Sequence, residues 1–141
     1  DQSARGSMAT TVVVPAIIPD DHVEDCAQAF ASQLDAWGMD GTFDFVHVTR
    51  DEASAGYAVV NFVDPAFVLL FCYIHQEYGC QGPVVISDTQ GLEANLAHWS
   101  PLSAGREERP MVFASPVPSQ WSVNVANTML SPQFREQFHK T

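Results

Sequence analysis

Cys72, His75 and Cys80 form a Cys-x2-His-x4-Cys set, a donor combination suited to a soft metal ion. Cys72 and His75 would share one helical face, yet a structural zinc site wants four ligands and no fourth stands at a convincing spacing. The economical reading is a buried thiol beside a packed histidine, with no metal and no other cofactor. Asp20, Asp21, Glu24 and Asp25 crowd into six residues, where carboxylates cap a helix and favour the positive end of its dipole, so they read as structural and not as a cation cage. His22 and His98 read as surface residues. Gly-x-Ser-x-Gly, a phosphate loop and His-Glu-x-x-His are all missing from the sequence, and with them the familiar layouts of acyl, phosphoryl and zinc-assisted chemistry. The chain is expected not to be an enzyme.

The elements that would position these groups fit one domain. The chain has 141 residues, 46% of them hydrophobic and 16% charged, enough for a packed core. Residues 1–7 end in Gly6-Ser7 ahead of Met8 and are expected to be a cloning scar. The longest apolar run, Ala66–Ile74, is far below the roughly 20 residues that cross a bilayer, so no membrane span is expected. Three cysteines cannot build a disulfide framework, and no secretory signal or glycosylation acceptor occurs; a reducing compartment, nuclear or cytoplasmic, and a monomer follow as expectations. Charge is lopsided. Residues 8–88 hold 12 acids against Arg50 alone, whereas residues 89–141 hold four acids and four bases, for −11 in the whole chain. A polyanion would be repelled by the first part and tolerated by the second.

Thr10–Val14 is a β-branched run and reads as a strand. Val23, Cys26, Phe30, Leu34 and Trp37 recur at spacings of three and four, predicting a helix over Asp21–Trp37 with Gly38 just past its end. Thr42–Val48 and Gly56–Val63 read as a strand pair. Asp64-Pro65 opens a second helix to Tyr78, with Asp64 as cap, and Val84–Ile86 is a short strand. Strand, helix, strand, strand, helix, strand predicts an α+β, ferredoxin-like sandwich: four antiparallel strands in the order 4-1-3-2 with both helices on one face. Beyond it, Gln90–Trp99 has helical composition with Leu92, Leu96 and Trp99 on one stripe, ended by Ser100-Pro101. Met111-Val112-Phe113 would lie along a sheet edge or in a groove. Residues 89–119 thus read as an extension packed on a core of residues 8–88, and residues 120–141 as a tail without periodicity, in which Ser131-Pro132 could begin a terminal helix.

The same order of elements belongs to the RNA recognition motif, or RRM. Ala55-Gly56-Tyr57-Ala58-Val59-Val60-Asn61-Phe62 matches the third-strand signature of that family at Gly56, Tyr57, Ala58, Val60 and Phe62, and departs from it at Ala55 and Val59, where a base and an aromatic are usual. Val13 stands where many members have a second stacking ring. Read together, TTVVV, FDFVHV, AGYAVVNFVDP, SDTQGLEANLAHWSP and RPMVF resemble the C-terminal RRM of the Mei-two-like meiosis-regulator RNA-binding proteins, most specifically in Gln90-Gly91-Leu92-Glu93 after the fourth strand and in Arg109–Phe113. The resemblance implies an RRM sandwich with a C-terminal extension, and single-stranded RNA as ligand of the sheet and its flanks. Ala16 replaces the family's usual Asn, His47 replaces an aromatic, and the connection from Thr49 to Ala55 is short and acidic.

Mapped onto this sequence, the RNA-contacting set is Tyr57, Val13, Val59 and Asn61 on the sheet with Arg50, Arg106 and Arg109 as cations. Tyr57 is expected to stand open to solvent while Ala58, Val60 and Phe62 face the helices. The extension could cover it through Trp99, Phe113 or Trp121. In strand two, the set Phe43, Phe45 and His47 alternates with Asp44, Val46 and Val48, and either set could face the helices. A stacked base is worth about 1–3 kcal/mol, so the missing rings leave a second reading open: an acidic, degenerate RRM that binds a protein partner.

Overall fold

The computed structural model describes residues 9–16, 26–50, 55–78, 82–103, 110–114 and 116–129. Its strands are β1 (Thr11–Pro15), β2 (Phe43–Arg50), β3 (Gly56–Phe62), β4 (Val85–Ile86) and β5 (Met111–Val112), and its helices are α1 (Cys26–Ala36), α2 (Pro65–Glu77), α3 (Leu92–Ser103) and α4 (Gln120–Met129). The fold is α+β. Where four strands in the order 4-1-3-2 were expected, one antiparallel sheet of five runs β4-β1-β3-β2-β5, with β5 added beyond β2. Residues 17–25, and with them the predicted start of the first helix, the acids Asp20–Asp25 and His22, lie outside the described residues, as do the expected terminal helix at Ser131-Pro132 and Cys80 of the candidate zinc set.

Local chemistry sets the helix ends. Asp64 sits in an extended conformation and its carboxylate accepts from the Ala66 amide at 2.9 Å, with Pro65 at the first helical position where no N–H is required. α1 closes as the sequence predicts: Gly38 takes φ 84°, its amide donates to the Asp35 carbonyl and the Met39 amide reaches back to Leu34. That is a Schellman cap, which needs the left-handed region glycine enters without penalty. α4 is a helix the sequence reading missed. Its cap is Ser119, whose hydroxyl accepts from the Ser122 amide at 3.1 Å, and its buried side is Ser122, Ala126 and Met129. Val125, Ala126 and Met129 follow Ser122 at helical spacing and face the core, an amphipathic pattern that the sequence reading passed over because two of its members are small. α3 likewise outruns its predicted stop at Ser100-Pro101 and ends at Ser103; proline's fixed φ is helical, and near the end of a helix its missing N–H costs a single bond.

The main core lies between the sheet and the helical layer. Val12 and Val14 of β1, Val46 and Val48 of β2, and Ala58, Val60 and Phe62 of β3 pack against Ala27, Ala31 and Leu34 of α1 and against Phe67, Leu70, Phe71 and Ile74 of α2. Phe62 and Phe71 meet at 5.4 Å between ring centroids. α4 packs along α2 and adds Ala126 and Met129 to the same core. Strand two answers its open question with neither alternation. Its register to β3 shifts between Phe43 and Phe45, so Phe43 joins the helical core while Phe45 and His47 turn to the opposite face. A bulge inserts one residue, and one residue is half the period of a strand.

Candidate functional site

The face of the sheet away from α1 and α2 carries Val13 of β1, Tyr57, Val59 and Asn61 of β3, and Phe45, His47 and Thr49 of β2, all by register. The sequence reading expected this face to be open. Phe45 and Val59 are fully buried, and His47 and Asn61 are nearly so. The cover comes from α3, which packs on β2. Trp99 of α3 places its ring 4.8 Å from that of His47 and 6.4 Å from that of Tyr57. Of the three rings proposed as covers, Trp99 takes that place. Phe113 instead meets Phe43 edge-on at 5.3 Å, and Trp121 lies over Gly38.

What seats α3 is a hydrogen-bonded cluster between the helix start and the first residues of β1. The Gln90 side chain behaves as an extra peptide group on the sheet edge: its Oε1 accepts from the Thr10 and Thr11 amides at 2.9 and 3.0 Å, and its Nε2 donates to the Thr11 and Ser87 carbonyls at 2.9 and 2.8 Å. Gly91, at φ 93°, turns its amide to Thr11 Oγ1 at 3.1 Å. Asn95 Nδ2 donates to the same hydroxyl at 3.1 Å and to the Gly91 carbonyl at 2.7 Å. Thr10 and Thr11 in turn donate to Asn61 Oδ1, both at 2.7 Å, and Asn61 Nδ2 donates to Asp44 Oδ1 at 2.8 Å.

The expected stripe of Leu92, Leu96 and Trp99 does lie on the half-buried side of α3, and Asn95, which the sequence reading left out, joins it. Asn95 is the fully buried member of α3, and the two leucines are half-buried. A polar residue can take the deepest place because its Nδ2 is paired on arrival with Thr11 Oγ1 and the Gly91 carbonyl, which offsets part of its lost hydration. The Gln-Gly pair was legible as a specific signature; Thr11 and Asn95 as its anchors were not, since nothing local distinguishes them. Replacing Gln90 by alanine is expected to lower stability by about 1–3 kcal/mol, since four bonds of modest net value are lost and water replaces the more exposed ones. Urea denaturation measures the loss, and faster amide exchange at Thr11 would locate it.

The predicted contact residues divide sharply. Val59 and Asn61 are buried and do not present themselves to a ligand, a correction that follows from α3 lying over them. Tyr57 is half-buried and not open, and Val13 is half-buried between Val59 and Val85. Arg50 ends β2, paired in register with Gly56, one residue from Thr49, the cross-strand partner of Tyr57. Arg106 and Arg109 lie outside the described residues. What remains accessible is the sheet margin: Tyr57, Trp99 and the exposed His98, whose ring stands edge-on to Trp99 at 4.7 Å. Trp99 Nε1 and Asn95 Oδ1 are buried without a hydrogen-bond partner among the described residues.

Of the cysteine and histidine set, Cys72 is half-buried with its thiol pushed up by burial, and His75 is buried against Phe71 with its imidazole pushed down by the same cause. Both shifts favour neutral groups in a packed helix face, the reading given by the sequence. No described helix is long and apolar enough to cross a membrane. Comparison with protein-family models, with curated proteins and with solved structures finds no match to the chain.

Proposed function

We propose that the chain is a single-stranded RNA-binding module of the RNA recognition motif type, a ferredoxin-like sandwich whose C-terminal extension has taken over most of the sheet face. The observation that carries this reading is the half-exposed pair Tyr57 and Trp99 at the margin of the sheet. Two rings offset and tilted by 59° give a base a face to stack on. The −11 charge of the chain does not forbid this. Repulsion between exposed charges is largely screened beyond about 8 Å at physiological salt, and the acids of α1 and α2 lie across the sheet from Tyr57. The orphaned indole N–H of Trp99 adds a reason for the covering helix to give way locally, because an unmet buried donor costs about 1–3 kcal/mol.

A labelled random single-stranded RNA, followed by fluorescence anisotropy at low and moderate salt, tests the reading. Micromolar binding that weakens as salt rises is expected. Tyr57→Ala should weaken it by about 1–3 kcal/mol, which is roughly 5- to 150-fold, with little change in melting temperature. Equal binding by the wild type and Tyr57→Ala would remove the sheet margin as the site. The burial of Val59, Asn61 and His47 favours a second reading, in which the closed sheet serves only as scaffold and the acidic body engages a protein; absence of RNA binding even at low salt would select it.

A further inference from the structure

The helical layer ends in an aromatic ledge that Trp37 ties to the core through Phe71, with ring centroids 6.4 Å apart. Tyr78, the C-cap of α2, is 67% exposed, and its ring stacks on the half-buried Trp37 with centroids 5.6 Å apart and planes inclined by 8°. Beside Trp37, Gly38 leaves its α-carbon open to the ring of Trp121: a Cβ there would stand 2.8 Å from Cε3 and from Cζ3. Trp121 belongs to the first turn of α4 and is 49% exposed. Three large rings therefore gather at one end of the layer, and two of them give much of their area to water, a disposition more typical of a contact surface than of a solvated one.

Among the described residues, the charges around the ledge are of one sign. Asp35, Asp40 and Glu77 are exposed on the same segments. Burial, and secondarily the charge of Asp40, hold the Asp35 carboxyl above the usual carboxylate range, which places the two carboxylates within each other's field. Neither α1, α2 nor α4 contains a Lys or Arg, and Arg50 of β2 is the sole one among the described residues. An aromatic face is negative at its centre, so rings and carboxylates here ask for the same complement. A guanidinium answers both, being planar enough to stack and forked to pair with a carboxylate; an ammonium of equal charge does only the second well.

We propose that this ledge is a docking site for an arginine-bearing peptide segment of a partner protein, its guanidinium groups stacked on Tyr78 and Trp121 and paired with Asp35 and Asp40. The site is independent of the RNA reading, since Tyr57 and Trp99 lie across the sheet from it.

Labelled (Arg-Gly)5, (Lys-Gly)5 and (Glu-Gly)5 peptides titrated with the whole chain provide the test. The arginine peptide is expected to bind several-fold more tightly than the lysine peptide, and the glutamate peptide not at all. Tyr78→Ala and Trp121→Ala should each weaken the arginine peptide at least fivefold and abolish its advantage over lysine, while Tyr57→Ala leaves both unchanged. Asp35→Asn with Asp40→Asn should weaken the two cationic peptides alike. Tyr78 is largely in water, so its variant is expected to melt with the wild type, and circular dichroism confirms that. Equal affinity for arginine and lysine peptides, untouched by Tyr78→Ala, would mean diffuse attraction to an acidic chain and would overturn the proposal. So would a complete lack of binding, or a loss that follows Tyr57→Ala in place of Tyr78→Ala.

Discussion

Phe62→Ala is expected to lower the folding free energy by about 3–5 kcal/mol, the cost usual for deleting a buried ring whose cavity the surroundings cannot fill. Phe62 is almost wholly buried at the end of β3, paired in register with Phe43 and in ring contact with Phe71 of α2. It therefore ties the bulged start of β2 to the second helix. Collapse around the void is opposed from two directions, since one wall is sheet backbone and the other a helix fixed by its Asp64 cap. Urea denaturation of the variant gives the value directly. A loss below about 1 kcal/mol would mean that the ring is not part of the core, and hence that the strand is slipped by one residue.

Cutting the chain after Asp88 is expected to leave no cooperatively folded protein. The cut removes α3, which covers Phe45 and Val59, and α4, which supplies Ala126 and Met129 to the main core. Each large apolar side chain returned to water costs about 1.5–3 kcal/mol, so exposing Phe45 and Val59, together with the part of the core that Ala126 and Met129 cover, approaches the roughly 5–15 kcal/mol that holds a typical domain folded. Thr10 and Thr11 also lose the partners that Gln90 and Asn95 give them. The fragment should bind a hydrophobic dye and keep far-ultraviolet while losing near-ultraviolet circular dichroism. An unchanged melting temperature would show that residues 89–141 ride on a domain that stands without them.

Much of the architecture was legible because it rests on near neighbours in the chain. Asp64-Pro65 and Gly38 mark helix ends through bonds that close within a few residues, and Ala58, Val60 and Phe62 keep the strict alternation of a strand with one face on the core. That alternation alone assigns the helical side of β3. α4 escaped notice because Ser122 and Ala126 on its buried side are small, and what makes them core is their fit against α2. The candidate site was legible only in part. Tyr57 was found from its signature strand, but its neighbour Trp99 comes from a helix forty-two positions later, and their meeting at 6.4 Å depends on where that helix lands.

By itself, then, the sequence determined the types of the elements from β1 to α3, the caps at Gly38 and Asp64, the acidic balance and the face of β3 that meets the helices. Each of these follows from local sterics, from period-two or period-3.6 patterning, or from a simple sum of charges. Tertiary structure decided the rest. A single bulge at Asp44 sent Phe43 to one side of the sheet and Phe45 with His47 to the other, an outcome that alternation cannot express because one inserted residue reverses it. Gln90 found the amides of Thr10 and Thr11 some eighty residues earlier, and by doing so brought α3 down over a face that the strands alone would have left in water. Such contacts are chosen by the whole fold at once, since a side-chain amide gives up water only where protein groups stand ready to replace it.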